Sequence, residues 1–456
     1  MRRFLRAALL AAWAFAPAPL AGETLEDRLA QAIPARMAAD GVPGVVVALL
    51  REGRPVWTRA FGLADPATGR GMTEDALFRV ESISKPVTAW GVMKLAEAGR
   101  IDLDAPVTGD LAGWTPPAVT APFTARQLLS NTAGIGLGDY AARYPPEAPR
   151  PDPAAQLARE FAVIAEPGAR FSYSDTGFNL LELFVEAVTG EEFADWMARE
   201  VLRPLGMPRA SYDWTGAAMP VGHDLRGHPV AAYVYPGRAS GGLHATAADL
   251  ARFAAAGMGA PQPVLAPESV AALHRPVARV PGLYGMAAEG YALGHFTETL
   301  SDGRTALWHG GQGYGWMSHL HMVPASGDAI VILANSQRAW PLFAVVLRAW
   351  SESLGVAPVG MARVLWAERV ALGAIVALIA LAAVALWRAR RPVSPASRAA
   401  AGVLAAGLVA APLWAVGQDY LFVFSILPRL SAWLGAAMLV AGLALWFDAL
   451  LPRKGS

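Results

Sequence analysis

Runs of apolar residues along the chain change their spacing twice, and each change predicts a different kind of element. Residues 44–62 form two apolar runs around a glycine-containing turn, which predicts a β-hairpin. The middle of the chain shows helical spacing, as in "LLELFVEAVTGEEFADWMAREVL" (180–202). Strand-like runs return late, at residues 305–311, 316–323 and 328–336. We therefore predict an α/β domain of the α+β type over residues 23–360, in which an antiparallel sheet from both termini flanks an inserted helical subdomain.

The residues that follow this domain are almost wholly apolar. Residues 370–387, 399–417 and 430–447 are each long enough to cross a bilayer as a helix, at about 1.5 Å per residue. The loop 388–398 contains four Arg residues, and the tail contains Arg453 and Lys454. Because basic loops remain in the cytoplasm, we predict three transmembrane helices with this loop and the C-terminus inside. For the short apolar segment 420–427, a position at the membrane interface is left open.

The N-terminus has the pattern of an export signal. Residues 1–22 begin with Arg2 and Arg3, continue with a short apolar core and end in small residues, which predicts a signal peptide. An uncleaved N-terminal anchor is the alternative, and both place the domain that follows outside the cytoplasm. The Arg-rich composition is typical of a GC-rich bacterial genome. We therefore predict a bacterial inner-membrane protein with a periplasmic domain.

Composition excludes several classes of function. The 38 Lys and Arg residues nearly balance the 37 Asp and Glu residues and are scattered, so we expect no nucleic-acid partner. The absence of Cys excludes disulfides, thiol nucleophiles and thiolate metal sites. The eight His residues lack zinc-site spacing, and we expect no metal and no cofactor. Only His319 and His321, which alternate on a predicted strand, remain as a candidate metal pair.

One lysine stands out in the stretch "ESISKPVTAW" (81–90). The chain contains only three Lys residues, at positions 85, 94 and 454, and every other cationic side chain is Arg. A desolvated Lys can lose its proton and act as a base, whereas Arg stays protonated. A predicted helix over residues 82–98, ended by Gly99, puts Ser82 and Lys85 on one face. This spacing is typical of a nucleophile and its base.

Two further motifs follow in order along the chain. Tyr173-Ser174-Asp175 stands before a predicted helix, and His309-Gly310-Gly311 stands at the end of a predicted strand. With Ser82-Ile-Ser-Lys85 they resemble the three motifs of the class C β-lactamase-like serine hydrolases, a group that includes penicillin-binding proteins, D-aminopeptidases and family VIII esterases. The resemblance covers residues 25–336. It extends to the surrounding segments "DALFRVESISKPVTA", "GRIDLDAPV", "RQLLSNTAGI", "PLGMPRASY" and "GGLHATAADLARF".

The resemblance implies a role for each matching residue. Ser82 would be the acylated nucleophile, Lys85 its nearest base, and Tyr173 the partner that exchanges protons with the leaving group. The backbone N–H groups of Ser82 and Gln312 would form the oxyanion hole. His309 would complete the catalytic set, and substrate would bind along Asp175, Gly310 and Gly311.

Two positions depart from the pattern of true β-lactamases. Asp175 stands where the family usually has Asn, and His309 stands where β-lactamases have Lys. An ionised Asp only accepts hydrogen bonds, and if it lies near Lys85 it favours the ammonium form of that lysine. A neutral His supplies no fixed cation for the carboxylate of a β-lactam. Both departures favour esters or amine-bearing peptides as substrates, and Asn131, where relatives often carry His, is interpreted as structural.

The sequence therefore predicts a membrane-anchored periplasmic serine hydrolase that forms an acyl-enzyme. Its substrate would be an ester or a D-amino-acid peptide of the cell-wall type. A true β-lactamase is one alternative, and a non-catalytic sensor that binds penicillin or a wall fragment is another. The retained Ser, Lys and Tyr and the short cytoplasmic segments argue against the sensor. The natural substrate and the oligomeric state are not predicted.

Overall fold

The computed structural model describes residues 23–117, 121–139, 141–216, 218–282, 284–389, 394–416 and 422–450. The predicted signal peptide, residues 1–22, lies outside the described residues. The same holds for residues 390–393 of the predicted basic loop and for the tail 451–456.

A nine-stranded antiparallel sheet forms the centre of the domain, in the order β3-β2-β1-β13-β12-β11-β10-β9-β8. Strands from the two ends of the domain pair directly, because β1 lies beside β13 with Val47 opposite Ile332. The predicted sheet from both termini is thus confirmed. Its strands are β1 (Gly44–Arg51), β2 (Arg54–Asp65), β3 (Arg70–Gly71), β8 (Ala278–Arg279), β9 (Gly290–Tyr291), β10 (Phe296–Thr299), β11 (Thr305–Gln312), β12 (Met317–Val323) and β13 (Asp328–Ala334).

Both faces of the sheet are covered, which explains why β1 is apolar along almost its whole length. Val45, Val47 and Leu49 pack into one core cluster with the helices α1 (Leu25–Asp40) and α9 (Trp340–Ser353). Their neighbours Val46, Ala48 and Leu50 point to the opposite face and pack into the core of the helical subdomain.

The helical subdomain is inserted between β2 and the late strands, as predicted. Its helices are α2 (Ser84–Glu97), α3 (Ala125–Leu129), α4 (Pro153–Glu160), α5 (Asp175–Thr189), α6 (Phe193–Met197), α7 (Ala247–Gly257) and α8 (Pro267–His274). Two short ladders accompany them in the described residues, β4 (Phe78–Arg79) with β7 (His244–Ala245) and β5 (Gly222–His223) with β6 (Pro229–Val230).

The helix that follows the nucleophile motif begins later than predicted. The prediction was 82–98, whereas residues 81–83 form a 3₁₀ turn and α2 begins at Ser84. A 3₁₀ turn is common at the N-terminus of an α-helix, and this one begins at Glu81, which has a left-handed φ of 51°. Gly99, with a φ of 68°, follows the helix end as expected.

Among the described residues, three helices after the domain are long and apolar enough to cross a membrane. They are α10 (Val364–Arg388), α11 (Pro395–Val416) and α13 (Leu430–Leu450), and a short helix α12 (Phe422–Ile426) precedes the last of them. Small residues, including Ala405 and Ala441, line the contacts between the helices. Large apolar side chains such as Val376, Val403 and Leu443 are exposed, as lipid-facing residues are. The first helix begins before the predicted span because it continues from the 3₁₀ turn Gly360–Arg363.

Candidate active site

Ser82 lies in the 3₁₀ turn before α2, partly exposed at the edge of a cavity. The turn is fixed by Ser84, whose hydroxyl donates to the carbonyl of Glu81 at 2.6 Å and accepts from the N–H of Leu243 at 2.9 Å. Ser84 is fully buried by these contacts. Of the two serines in the motif, only Ser82 therefore presents its hydroxyl to the cavity.

Lys85 is fully buried and lies between the nucleophile and the second motif. Its Nζ atom is 3.1 Å from Ser82 Oγ, 2.5 Å from Asp175 Oδ1 and 2.9 Å from the carbonyl oxygen of Ser240. Burial lowers the pKa of Lys85, and the Asp175 carboxylate opposes that shift. Asp175 thus acts in the expected direction, but burial outweighs it, since removing an ammonium from water is costly. The pair brings a serine hydroxyl and a base into hydrogen-bond distance.

Tyr173 lies beside Lys85, with the ring centroid 4.8 Å from the Nζ atom. The ring stacks on Tyr284 and Phe296. Its loop is held on both sides by Asn131, whose carbonyl accepts from the N–H of Ser172 at 2.7 Å and whose Oδ1 accepts from the N–H of Ser174 at 3.0 Å. Asn131 has a φ of 56°, a conformation that Asn tolerates better than most residues. Asn131 therefore has a structural role, as interpreted from the sequence: it positions the loop that carries Tyr173.

His309 lies near the end of β11, which ends at Gln312, one residue beyond the predicted strand 305–311. The side chain is only 1% exposed. Its Nδ1 atom donates to the carbonyl of Gly310 at 2.8 Å, and Nε2 accepts from the hydroxyl of Tyr291 at 3.2 Å. Burial, followed by the charge of Lys85, holds the pKa of His309 well below its usual range. The imidazole is therefore neutral at pH 7 and supplies no cation to a substrate carboxylate.

The two glycines after His309 make room for protein atoms. A Cβ at Gly310 would lie 2.7 Å from the Trp340 ring, and a Cβ at Gly311 would lie 2.3 Å from the carbonyl oxygen of Val80. These positions let β11 pack closely against α9 on one face and against the nucleophile turn on the other. Substrate binding at the two glycines stays a prediction, and it concerns their backbone groups.

A partly open cavity lies at Ser82. Gln312 lines the same cavity, so the two residues expected to form the oxyanion hole face one space. Four carboxylates line it, those of Glu81, Asp139, Glu160 and Asp175, and Glu81 forms an ion pair with Arg79. Burial raises the pKa of Glu160, and the charges of Asp175 and Asp139 add to that shift. Among the lining residues that the structure describes there is no Lys or Arg.

Sequence reasoning missed a buried ionic network behind the nucleophile. Glu81 accepts hydrogen bonds from Arg79 at 3.0 Å, from the Tyr233 hydroxyl at 3.1 Å and from the Tyr235 hydroxyl at 2.9 Å. The Arg79 guanidinium lies over both tyrosine rings. The network holds Glu81 in its left-handed conformation and thereby fixes Ser82. Asp139 and Glu160 were missed as well, since neither belongs to a motif and both reach the cavity only through the fold.

The candidate metal pair lies apart from this cavity. His319 and His321 are fully buried, and His319 Nε2 is 3.3 Å from His321 Nδ1. Burial lowers the pKa of His319 to about 3. The two rings pack against Trp308, and His321 also packs against Trp350 on α9. In the part of the chain that the structure describes, this is a packed pair between sheet and helix.

Comparison with known proteins agrees with this geometry. The family model described as "Beta-lactamase" matches residues 29–349. Penicillin-binding protein 4 of Amycolatopsis lactamdurans is 30% identical over 331 residues, which cover 67% of this chain and 84% of that protein. A D-aminopeptidase of Brucella ovis is 31% identical over 176 residues, covering 37% of this chain and 32% of that protein. The structure of a D-stereospecific amidohydrolase from Streptomyces sp. matches with a TM-score of 0.54 and 26% identity, over 68% of this chain and 93% of that one.

The fold and these relatives define a serine hydrolase of the β-lactamase, penicillin-binding protein and D-aminopeptidase type. The chain belongs to the beta-lactamase family. The resemblance found from the motifs is therefore confirmed. The roles of the individual residues, carried over from it, stay predictions.

The first prediction concerns Lys85. Lys85→Arg should lower kcat about as much as Lys85→Ala, by roughly 10²–10⁴-fold, because Arg cannot accept the serine proton at neutral pH. Lys94→Arg is the matched control, since Lys94 lies on the same helix with its side chain partly exposed. Rates with a chromogenic ester measure the effect, and Ser82→Ala gives the baseline. Activity of the Arg variant near that of wild type would mean that position 85 supplies only a positive charge.

The second prediction concerns the pH profile. Asp175→Asn removes the charge that opposes the burial-induced lowering of the Lys85 pKa, so this pKa should fall further. The unprotonated base then persists to lower pH, and the acidic limb of kcat/KM should move to lower pH. Profiles of both proteins with one neutral ester measure the shift, with the exposed Asp302→Asn as control. An unchanged acidic limb would show that Asp175 does not influence the pKa of the base.

Proposed function

We propose that the chain forms an acyl-enzyme through Ser82 and hydrolyses amides, peptides or esters of amine-bearing, D-configured amino acids. The observation that carries the chemistry is the contact of 3.1 Å between Lys85 Nζ and Ser82 Oγ at a cavity edge. Lys85 takes the proton of the hydroxyl, and Oγ attacks the substrate carbonyl carbon. The N–H groups of Ser82 and Gln312 stabilise the negative oxygen of the tetrahedral intermediate.

Collapse of that intermediate breaks the bond to the leaving group, which takes a proton relayed by Lys85 and Tyr173. Water then attacks the ester bond to Ser82, and the same two side chains accept its proton and return one to Oγ. The position of the Tyr173 ring, 4.8 Å from the Nζ atom of Lys85, supports this relay, because Lys85 in turn contacts the Ser82 hydroxyl.

The charge of the cavity supports a cationic substrate. Asp175 is engaged with Lys85, and Glu81 with Arg79. This leaves Asp139 and Glu160 as carboxylates without a cation among the lining residues that the structure describes. The raised pKa of Glu160 has two causes, burial and nearby negative charge, and a substrate ammonium would relieve the second. An α-amino group next to the scissile carbonyl is the simplest group of this kind.

The relatives support the same substrate class. One is a D-aminopeptidase and another is a D-stereospecific amidohydrolase, although the first matches over only about a third of its own length. A β-lactam presents a carboxylate, which a neutral His309 and an acidic cavity disfavour. An intact Ser82–Lys85 pair also favours turnover over a purely sensory role.

We also propose that the domain works outside the cytoplasm, anchored in the bacterial inner membrane by α10, α11 and α13. The support is the length and apolar character of the three helices, together with the Arg-rich loop between the first two. An odd number of crossings from an exported domain places the C-terminus in the cytoplasm.

The third prediction tests the substrate class. D-alanine p-nitroanilide should be cleaved with a higher kcat/KM than its N-acetyl form, which lacks the ammonium. Glu160→Gln should reduce this preference by roughly tenfold, the scale of one charge-assisted hydrogen bond. Glu268→Gln is the control, because Glu268 is exposed on α8. Equal rates on the two substrates would contradict an amine-binding cavity, and the absence of an intact-mass adduct on Ser82 would contradict the acyl-enzyme.

The fourth prediction tests the topology. A phosphatase reporter fused after residue 360 should be active, because it folds outside the cytoplasm. The same reporter fused after Ser456 should be inactive, and a fluorescent protein at that position should fluoresce. An active phosphatase at the C-terminus would mean an even number of crossings, with the segment 420–427 helping to form an additional span.

A further inference from the structure

The short helix α12, between the second and third apolar helices, contacts the catalytic domain. Its residue Ser425 is fully buried, and the hydroxyl donates to Gln312 Oε1 at 3.0 Å. The same oxygen accepts the indole N–H of Trp340 at 2.8 Å. An indole nitrogen only donates, so the Gln312 side chain must present its carbonyl oxygen here, and that oxygen receives both donors.

A second contact joins the membrane helices to the same layer. Arg36 on α1 forms an ion pair of 2.5 Å with Glu368 near the start of α10. Ile426, next to Ser425, packs against the core cluster that contains α1 and α9. The apolar helices are therefore attached to the domain at two places on one face of the sheet.

The end of β11 needs such support. The ladder between β10 and β11 reaches only Trp308, whereas β11 continues beside β12 to Gln312. The last residues of β11 are thus paired on one side in the described ladders, and a glycine-containing turn follows them. The hydrogen bonds to the Gln312 side chain restrain a strand end that the sheet holds from one side.

We infer that Ser425 is a positioning residue for the oxyanion hole, so that the membrane helices form part of the catalytic machinery and are more than an anchor. The inference rests on the proposed function, because it takes the backbone N–H of Gln312 as an oxyanion donor. Ser425 and Trp340 bind the side chain of Gln312, and the same residue lines the cavity together with Ser82. Small displacements of such a donor lower kcat strongly.

The fifth prediction compares Ser425→Ala with Ser425→Thr in the full-length protein in detergent. The Ala variant should lose about tenfold in kcat per titrated active site, less than the roughly 10²–10³-fold cost of losing an oxyanion donor. KM should change little, because the interaction acts in the transition state. The Thr variant keeps the hydroxyl and should regain most of the rate. Ser431→Ala, in the first turn of α13, is the matched control.

A substrate pair separates positioning from general destabilisation. A thionoester develops negative charge on sulfur, which the oxyanion hole holds poorly, so Ser425→Ala should slow the ester much more than its thiono analogue. Trp340→Phe removes the other donor to Gln312 and should lower the same ester-to-thionoester rate ratio. Unchanged ratios in both variants would overturn the inference while Ser82 acylation, and with it the proposed function, still stands. Loss of the Ser82 adduct in the wild type would instead overturn the proposed function.

Discussion

The buried ammonium group of Lys85 is the constraint on which the rest of the site depends. Burial favours the neutral amine, and Asp175, 2.5 Å away, favours the ammonium. Each pKa unit gained or lost in this competition corresponds to about 1.4 kcal/mol. Two opposed effects therefore set the pKa of Lys85. Its polar contacts come from the neighbouring Ser82 and from two distant parts of the chain, Asp175 at the start of α5 and Ser240 before β7.

The surroundings of this lysine are held by polar contacts that span long stretches of sequence. Glu81 keeps a left-handed backbone because Arg79, Tyr233 and Tyr235 bind its carboxylate. A residue in such a conformation persists only where its neighbours over-determine it. Two of these neighbours lie in the helical subdomain about 150 positions later, so the nucleophile turn and the subdomain stabilise each other.

Elements with a local sequence pattern could be predicted from the sequence, whereas contacts between residues far apart in the chain could not. The apolar runs of β1 and the late strands predicted the sheet, and three motifs predicted the family and the meeting of Ser82 with Lys85. The 3₁₀ turn at residues 81–83 leaves no trace in composition, so the helix start was placed two residues too early. Glu160 reaches the cavity from a helix without a motif, and Ser425 reaches Gln312 across more than a hundred residues.

The contact of Ser425 changes how the division into domains is understood. By sequence, the boundary near residue 360 separates a hydrolase from an anchor, because composition changes there abruptly. In space, α12 lies against α9, and its serine shares one acceptor with Trp340. Trp340 in turn occupies the volume that a side chain at Gly310 would take. The helices α12 and α9 and the strand β11 thus form one packed unit. An arrangement of the apolar helices that displaced α12 would therefore disturb the strand that borders Ser82.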